Sequence, residues 1–452
     1  MLSIELSPEL WLAVFDQLDH EPHKKIDLRN VSKTSQLFHA LTQPLLFAKI
    51  LLLTHYSPDT QTAALIRDLA ARAEARQWVK SVIIETQRSD GHTEEAIVDI
   101  FMELQNLRTI RINHTSITDK IVQHLLRLSH PFSFHCWNIA CAPEIVNLVS
   151  DIQNLRIVEL VVNRLRGPNI IPLITRLALG PHLSVLHLSR SVSPAIYQIP
   201  RQNPDHRFNG LQCLEIYQPE DQTEMEGFLG FLASCPQLSY LKIIPYRTSI
   251  TDENFALPSA SIPHLSSFNG PYELARILVS GRPLLSLTLV CSRYTNVDKE
   301  LFSNLREGSA PLRELYMGEI TWHDDILLQV AEHFPALQNI HFWVAEINCF
   351  DWIRERLASD IQRLPQLQQF GISSFEEWTD DNTSALSLLK ATNHRLAPVG
   401  FWLKTEWERG MRQWVLRRRS QIWRQRPGIW DCGRLVTYTY HRPPRSYLDP
   451  YS

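Results

Sequence analysis

One short pattern recurs along most of this sequence and limits what it can fold into. An apolar residue is followed by two of any kind, a second apolar residue, one of any kind, and a third apolar residue. It appears as Leu107/Ile110/Ile112, Leu155/Val158/Leu160, Leu183/Leu186/Leu188 and Leu211/Leu214/Ile216. It continues as Leu238/Leu241/Ile243, Leu284/Leu287/Leu289, Leu312/Leu315/Met317, Leu337/Ile340/Phe342 and Leu367/Phe370/Ile372. Val79/Val82/Ile84 is an earlier copy, Phe134/Cys136 a weak one and Leu265/Phe268 a partial one. From Leu155 to Leu367 the mean spacing is about 26 residues. A unit of that size holds one strand and one return segment and cannot bury its apolar face alone, so neighbouring units must stack.

The segments between the copies carry helical spacing. Ala96/Ile97/Ile100/Phe101/Leu104, Ile326/Leu327/Val330/Phe334 and Ile353/Leu357/Ile361/Leu364 each place apolar residues on one helix face. Pro181, Pro236, Pro263, Pro335 and Pro365 stand two residues before a strand's first apolar position, where proline stops a helix and sets up an extended entry. The reading is α/β: a leucine-rich-repeat solenoid, a horseshoe of about twelve repeats over residues 56–395. The asparagine that often follows such strands is mostly missing, with only Asn163 at that place, and the short step from Leu265 to Leu284 marks an irregular unit.

Composition removes other classes. Only 15 of 452 residues are glycine, too few for a Gly-rich nucleotide-binding architecture, and the net charge of −3 gives no general pull toward nucleic acid. The best apolar run, Leu45 to Leu53, is short and contains Lys49, so no transmembrane helix is expected. Glu5 and Glu9 speak against a signal peptide. Seven scattered cysteines, with Cys136 and Cys141 too far apart for a CxxC motif, read as reduced thiols in the cytoplasm and/or nucleus. No nucleophile elbow, phosphate loop, dinucleotide motif or zinc-protease motif occurs. His20/His23 and His323-Asp324-Asp325 lack partners at a ligand spacing. The expectation is a non-enzymatic protein without cofactor or metal.

Residues 1–55 differ in style. Ser7-Pro8-Glu9 reads as a helix start, with Leu10, Val14 and Leu18 in one line beside Trp11 and Phe15. His23-Lys24-Lys25 interrupts the pattern. A second helix carries Ile26, Leu28 and Val31, and a third Leu37, Phe38, Leu41, Leu45 and Leu46. So small a module finishes its burial against a partner or the first repeat. The run Leu6-Ser7-Pro8-Glu9-Leu10, Val14-Phe15, Leu18, Leu28-x-x-Val31-Ser32-Lys33 and Phe38-x-x-Leu41-x-x-Pro44-Leu45-Leu46-Phe47 resembles an F-box. The family usually begins Leu-Pro, where Ser7 intervenes here, and favours an aromatic near position 35, where this chain has Ser35.

The resemblance implies a substrate receptor of a Skp–cullin–F-box ubiquitin ligase, whose F-box binds a Skp-type adaptor and, through it, a cullin. The residues it points to for adaptor contact are Leu6, Pro8, Leu10, Phe15, Leu18, Val31, Leu41, Pro44 and Leu45, some of which must be the module's own core. A scaffold of leucine-rich repeats outside any ligase is the alternative.

On such repeats the residues alternating with the apolar ones line the inner curve. Its central positions are Ile83, Arg111, His135, Glu159, His187, Glu215, Lys242, Asn269, Thr288, Tyr316, His341 and Gly371, with Trp137, Tyr217, Tyr240 and Trp343 beside them. Mixed signs and aromatics suit a protein target better than nucleic acid, which calls for a basic stripe. Arg111, Glu159, His187, Glu215, Tyr217, Tyr240, Lys242, Tyr316, His341 and Trp343 are the candidate target contacts. Residues 396–452 hold five of the twelve tryptophans and a net charge of +7. Leu403, Trp407, Met411, Trp414 and Val415 fit one helical stripe, and Leu435 to Tyr440 a strand. A terminal cap docked on the chain, a membrane-surface helix and a nucleic-acid contact are the open readings of this segment.

Overall fold

A computed structural model describes residues 7, 10–11, 24–54, 60–86, 91–141, 145, 155–245, 255–290, 302–303, 310–320, 325–344, 356–374, 400–410, 413–426, 429–432 and 436–442. The chain divides into two compact units, Met1–Pro219 with Thr223–Cys235, and Glu220–Gln222 with Pro236–Ser452.

In the first unit, helices α1 (Lys24–Ser32) and α2 (Gln36–Ala48) lead without a linker into strand β1 (Lys49–Thr54). Ser35 caps α2 by accepting the Phe38 amide at 3.1 Å. Helices α3 (Thr60–Ala71) and α4 (Ala73–Trp78) precede β2 (Ser81–Thr86), and α5 (Gly91–Met102) precedes β3 (Thr109–Asn113) and the short β4 (Ser116–Ile117). After α6 (Asp119–Arg127) come β5 (Phe132–Cys141) and β6 (Ile157–Leu165). Helix α7 (Ile171–Ala178) then leads to β7 (Val185–Leu188), and short helices α8 (Ser193–Tyr197) and α9 (Ile199–Gln202) to β8 (Cys213–Tyr217). Helix α10 (Gln222–Ala233) follows.

Strands β1, β2, β3, β5, β6, β7 and β8 pair in parallel in that order. Sequential order leaves no point where the winding reverses, and so no ligand crevice of the doubly wound kind. Burial alternates along the strands. Val82, Ile84, Ile110, Ile112, Phe134, Cys136, Leu160, Val162, Leu186, Leu188, Leu214 and Ile216 are buried on one face, while the residues between them are mostly half-exposed. Parallel sheets are usually covered on both faces; this one has a core face and an open face.

The second unit holds β9 (Tyr240–Ile244), β10 (Ser267–Pro271), α11 (Tyr272–Leu278), β11 (Ser286–Val290), β12 (Glu314–Ile320), α12 (Ile326–His333), β13 (Asn339–Val344), α13 (Leu357–Gln362) and β14 (Gln369–Ser374). Strands β9 to β14 again pair in parallel and in order. The partial copy on β10 has a packing reason. A Cβ on Gly270 would lie 3.0 Å from the Phe268 ring and 3.1 Å from Ile243 Cβ, so the large Phe268 fills the space a third apolar side chain would take. In the same irregular unit Arg282 is 1% exposed, and its guanidinium donates to the carbonyls of Leu257, Pro258 and Ser280 at 3.0–3.1 Å. Burial lowers its pKa to about 10, which still leaves it charged at neutral pH.

The prolines do more than stop helices. Leu183, Leu265, Leu337 and Leu367 donate to the carbonyls of Gly180, Ile262, Phe334 and Leu364 at 3.1–3.3 Å, closing four-residue turns with proline second. Its fixed φ suits that position, and each turn delivers the first leucine to the core. The next two amides then share one carbonyl of the preceding unit. Gln212 and Cys213 donate to Ser184, Ser266 and Ser267 to Ser239, Arg313 and Glu314 to Leu285, and Gln338 and Asn339 to Arg313, all at 2.8–3.0 Å.

Several expectations need correction. β1 lies inside the segment read as purely helical; its alternating Ile50 and Leu52 are buried at 3% and 0% and pair with Val82 and Ile84. Helix α1 includes Lys24 and Lys25, which had read as a break. Of the expected triplet before and on β6, Leu155 and Leu160 are buried but Val158 is only half-buried; the core positions on β6 are Ile157, Leu160 and Val162, and Asn163 stands unpaired where the register slips. The segment with Leu403, Trp407, Trp414 and Val415 is not a helix. Strands β15 (Gly400–Gly410) and β16 (Gln413–Arg426) form an antiparallel pair, joined by β17 (Ile429–Cys432) and β18 (Val436–Arg442). Trp, Val and Tyr favour strands, and sheet pairing outweighs the helical spacing; Met411 lies outside the described residues. β15 pairs in parallel with β14.

The core also buries an imidazole. His124 on α6 is fully buried, edge-on to Phe101 at 4.6 Å, and burial lowers its pKa from 6.5 to about 4. The unfolded chain takes up this proton near pH 6.5 and the folded chain near pH 4. Stability from neutral His124 is therefore complete above about pH 6.5 and falls as the pH drops toward 4, by roughly 3 kcal/mol. Urea unfolding at pH 7 and pH 4.5 will show the wild type losing more stability on acidification than His124→Leu.

Candidate protein-interaction surface

The open face of the first unit is organised by strand register. Its middle row runs Leu51, Ile83, Arg111, His135, Val161, His187, Glu215 across β1, β2, β3, β5, β6, β7 and β8. Glu159, expected in this row, lies one row lower, between Ser133 and Val185. The slip on β6 moves it by two residues, which keeps it on the same face.

The row shift creates a pair. Glu159 Oε2 lies 3.5 Å from His135 Nε2, reaching up and across to the neighbouring strand. On the far side of Val161, His187 Nδ1 lies 3.8 Å from Glu215 Oε2, and its Nε2 lies 3.8 Å from Cys213 Sγ. Val161 between the two imidazoles is only 8% exposed. Burial lowers the His135 pKa, opposed by the Glu159 carboxylate and reinforced by Arg111. Four candidate target contacts, Arg111, Glu159, His187 and Glu215, thus share one continuous surface with His135. Tyr217, half-buried at the end of β8, has its carbonyl bonded by the Tyr197 hydroxyl.

In the second unit Lys242, Asn269, Thr288, Tyr316, His341 and Gly371 form the corresponding row. Tyr316 and His341 stack, with centroids 6.1 Å apart and planes inclined by 28°. The imidazole also covers Gly371, where a Cβ would lie 2.5 Å from His341 Nδ1. One row lower, Glu314 accepts from Ser286 at 3.0 Å and from Asn339 at 3.1 Å. The Tyr316 pKa is raised by burial and then by Glu314. Trp343 is half-buried one row above His341; Tyr240 and Lys242, also half-buried, stand three strands from Tyr316. The aromatic candidates therefore meet only in part.

Of the candidate adaptor contacts, Leu10 is 54% exposed, while Val31, Leu41, Pro44 and Leu45 are half-buried. Leu6, Pro8, Phe15 and Leu18 lie outside the described residues. The Leu10 and Trp11 amides bond the Ser7 carbonyl at 3.1 and 3.2 Å, as a helix start requires. Leu37, 50% exposed, adds apolar surface that the sequence reading had placed among ordinary helix residues.

Among the described residues no helix is long and apolar enough to cross a membrane, and no three His, Cys, Asp or Glu side chains are grouped to hold a metal ion. No protein-family model and no curated protein sequence matches this chain.

The His135–Glu159 pair makes a directional prediction. Replacing Glu159 by glutamine removes the charge that favours the imidazolium, so His135 titrates lower still in Glu159→Gln than in wild type. NMR titration of the imidazole protons reads this directly; an unchanged or raised value would show that the pair is not formed in solution.

Proposed function

We propose that this protein is the non-catalytic substrate receptor of a Skp–cullin–F-box type ubiquitin ligase, built as a helical F-box module on a leucine-rich-repeat solenoid. The N-terminal helices take the Skp-type adaptor and, through it, a cullin. The open sheet face holds a target protein, and ubiquitin is transferred by other subunits. The receptor acts by positioning, raising the effective concentration of target lysines at the transfer enzyme.

The observation that carries this reading is the apolar surface left on the N-terminal helices. Trp11 and Phe38 pack edge-on at 5.0 Å, yet their chain neighbours Leu10 and Leu37 remain half or more exposed. Large apolar side chains near such an aromatic pair suit a partner's groove. Helix α2 runs straight into β1, and Phe47 meets Trp78 at 6.3 Å, so a bound adaptor would be held firmly against the start of the sheet. The repeated turn, the shared carbonyl and the strand order support the solenoid reading.

The test is capture of the Skp-type adaptor and its cullin by the full chain, compared with Leu10→Asp and Leu37→Asp. Both positions are exposed, so the variants will keep the wild-type circular dichroism spectrum and melting curve. Wild type is expected to capture both proteins, and each variant to lose adaptor binding by about tenfold or more. Folded wild type that captures neither protein would leave a repeat scaffold outside any ligase.

A further inference from the structure

Above the middle row of the first unit, the strand ends place Glu85, Asn113, Trp137 and Arg164 side by side on the open face. Trp137 is 51% exposed, the most exposed tryptophan among the described residues whose exposure is defined. Leaving an indole in water forgoes a large burial, so its mounting matters.

That mounting is rigid. The Trp137 carbonyl accepts the His114 amide at 2.8 Å. His114 and the next residue along from the indole, Asn138, both hold positive φ, 56° and 53°. Such backbone is uncommon outside glycine and persists where surrounding bonds impose it. Here Asn138 Nδ2 and Arg166 donate to His114 Nδ1 at 3.0 and 3.2 Å, and the Arg166 amide bonds the Ile139 carbonyl at 2.7 Å. Two strained residues and an arginine clamp the strand end that carries an exposed aromatic side chain.

The indole is flanked by positive charge. Arg164 is its direct neighbour on β6, and Arg111 stands on β3 one row below; both are exposed. Among the described residues neither guanidinium forms an ion pair or side-chain hydrogen bond. Of the nearest carboxylates on this face, Glu159 pairs with His135, and Glu85 stands on β2, the strand next to that of Arg111, one row above it and two strands from Trp137.

We propose that Trp137, with Arg111 and Arg164, forms a docking surface for an acidic segment of a partner protein. This rests on the reading of the open face as the target-binding surface and names the chemistry of the target. Arg111 and Arg164 are two strands and about two residues apart, roughly 12 Å between Cα atoms. An extended chain covers that in three or four residues. The segment is therefore extended, with two carboxylates three or four residues apart and an apolar side chain between them against the indole. Each arginine can take its carboxylate through two parallel N–H···O bonds. A rigid aromatic residue between two arginines is the composition of a binding hot spot.

The test uses the full chain and a fluorescein-labelled, otherwise uncharged heptapeptide with two glutamates four residues apart around a central leucine, read by fluorescence anisotropy. The expected result is saturable binding that is at least tenfold weaker for the glutamine version and weakens with added salt. Arg111→Glu, Arg164→Glu and Trp137→Ala should each weaken it about tenfold or more while keeping the wild-type melting curve. Equal binding of glutamate and glutamine peptides, or unchanged affinity in the arginine variants, overturns the proposal. So does displacement of the peptide by a single-stranded oligonucleotide at lower concentration, which would assign the surface to nucleic acid. No adaptor is present in the assay, so its failure and the failure of the ligase reading are separate results.

Discussion

In seven of the repeats, one carbonyl oxygen, on the residue after the first apolar position, receives two amide protons from the following repeat. The bonds at Lys80, Ser184, Ser239, Ser266, Leu285, Arg313 and Gln338 are 2.7–3.1 Å long. This places successive strands side by side in parallel, and it does so with backbone atoms that any sequence supplies. The leucine pattern then decides which face is buried, because a slip of a single residue would turn every apolar side chain to the wrong side. β6 shows the rule under strain: its register slips, yet Leu160 and Val162 remain in the core while Asn163 takes up the irregularity. On β10 the same core space is filled by a different pair of side chains, Phe268 beside Gly270.

A parallel sheet with one buried face leaves the other face for function. Its strand spacing sets side chains about 4.8 Å apart across neighbouring strands, so histidine–carboxylate contacts and stacked rings form between repeats on this face. His135 with Glu159, His187 with Glu215 and Tyr316 with His341 all join residues of different strands. The two half-buried histidine–carboxylate contacts add little stability. Their effect is to fix the orientation of side chains that a protein partner would meet, and the bonds around His114 do the same for Trp137.

The apolar repeat, the strands and many of the helices were legible in the sequence because burial imposes a period that side-chain chemistry must follow. Ile97, Phe101, Leu327 and Val330 sit in the core as their spacing implied. Three features were not legible. β1 was hidden because Lys49–Thr54 continues an apolar helical run, and only pairing with β2 reveals its alternation. The place of Glu159 depended on a bulge, which no local pattern announces. Leu403, Trp407, Trp414 and Val415 matched a helix by spacing, but the backbone there pairs as antiparallel strands instead. Among the candidate residues, the alternation rule placed Arg111, His187, Glu215, Tyr316 and His341 in the middle rows where the register has them; it could not show which would touch. The mount of Trp137 was invisible because it rests on backbone dihedral angles at His114 and Asn138.

The most direct measurement of this account is amide hydrogen exchange at the shared carbonyls. The amides of Gln212, Ser266, Arg313 and Gln338 stand just before or at the start of strands, where a turn or loop would ordinarily exchange quickly. If stacking through these bonds holds the units together, they will be protected as strongly as the strand amides of Leu214, Leu241, Leu315 and Ile340. Exchange of the four at the rate of an unstructured chain, with the strand amides protected, would contradict it.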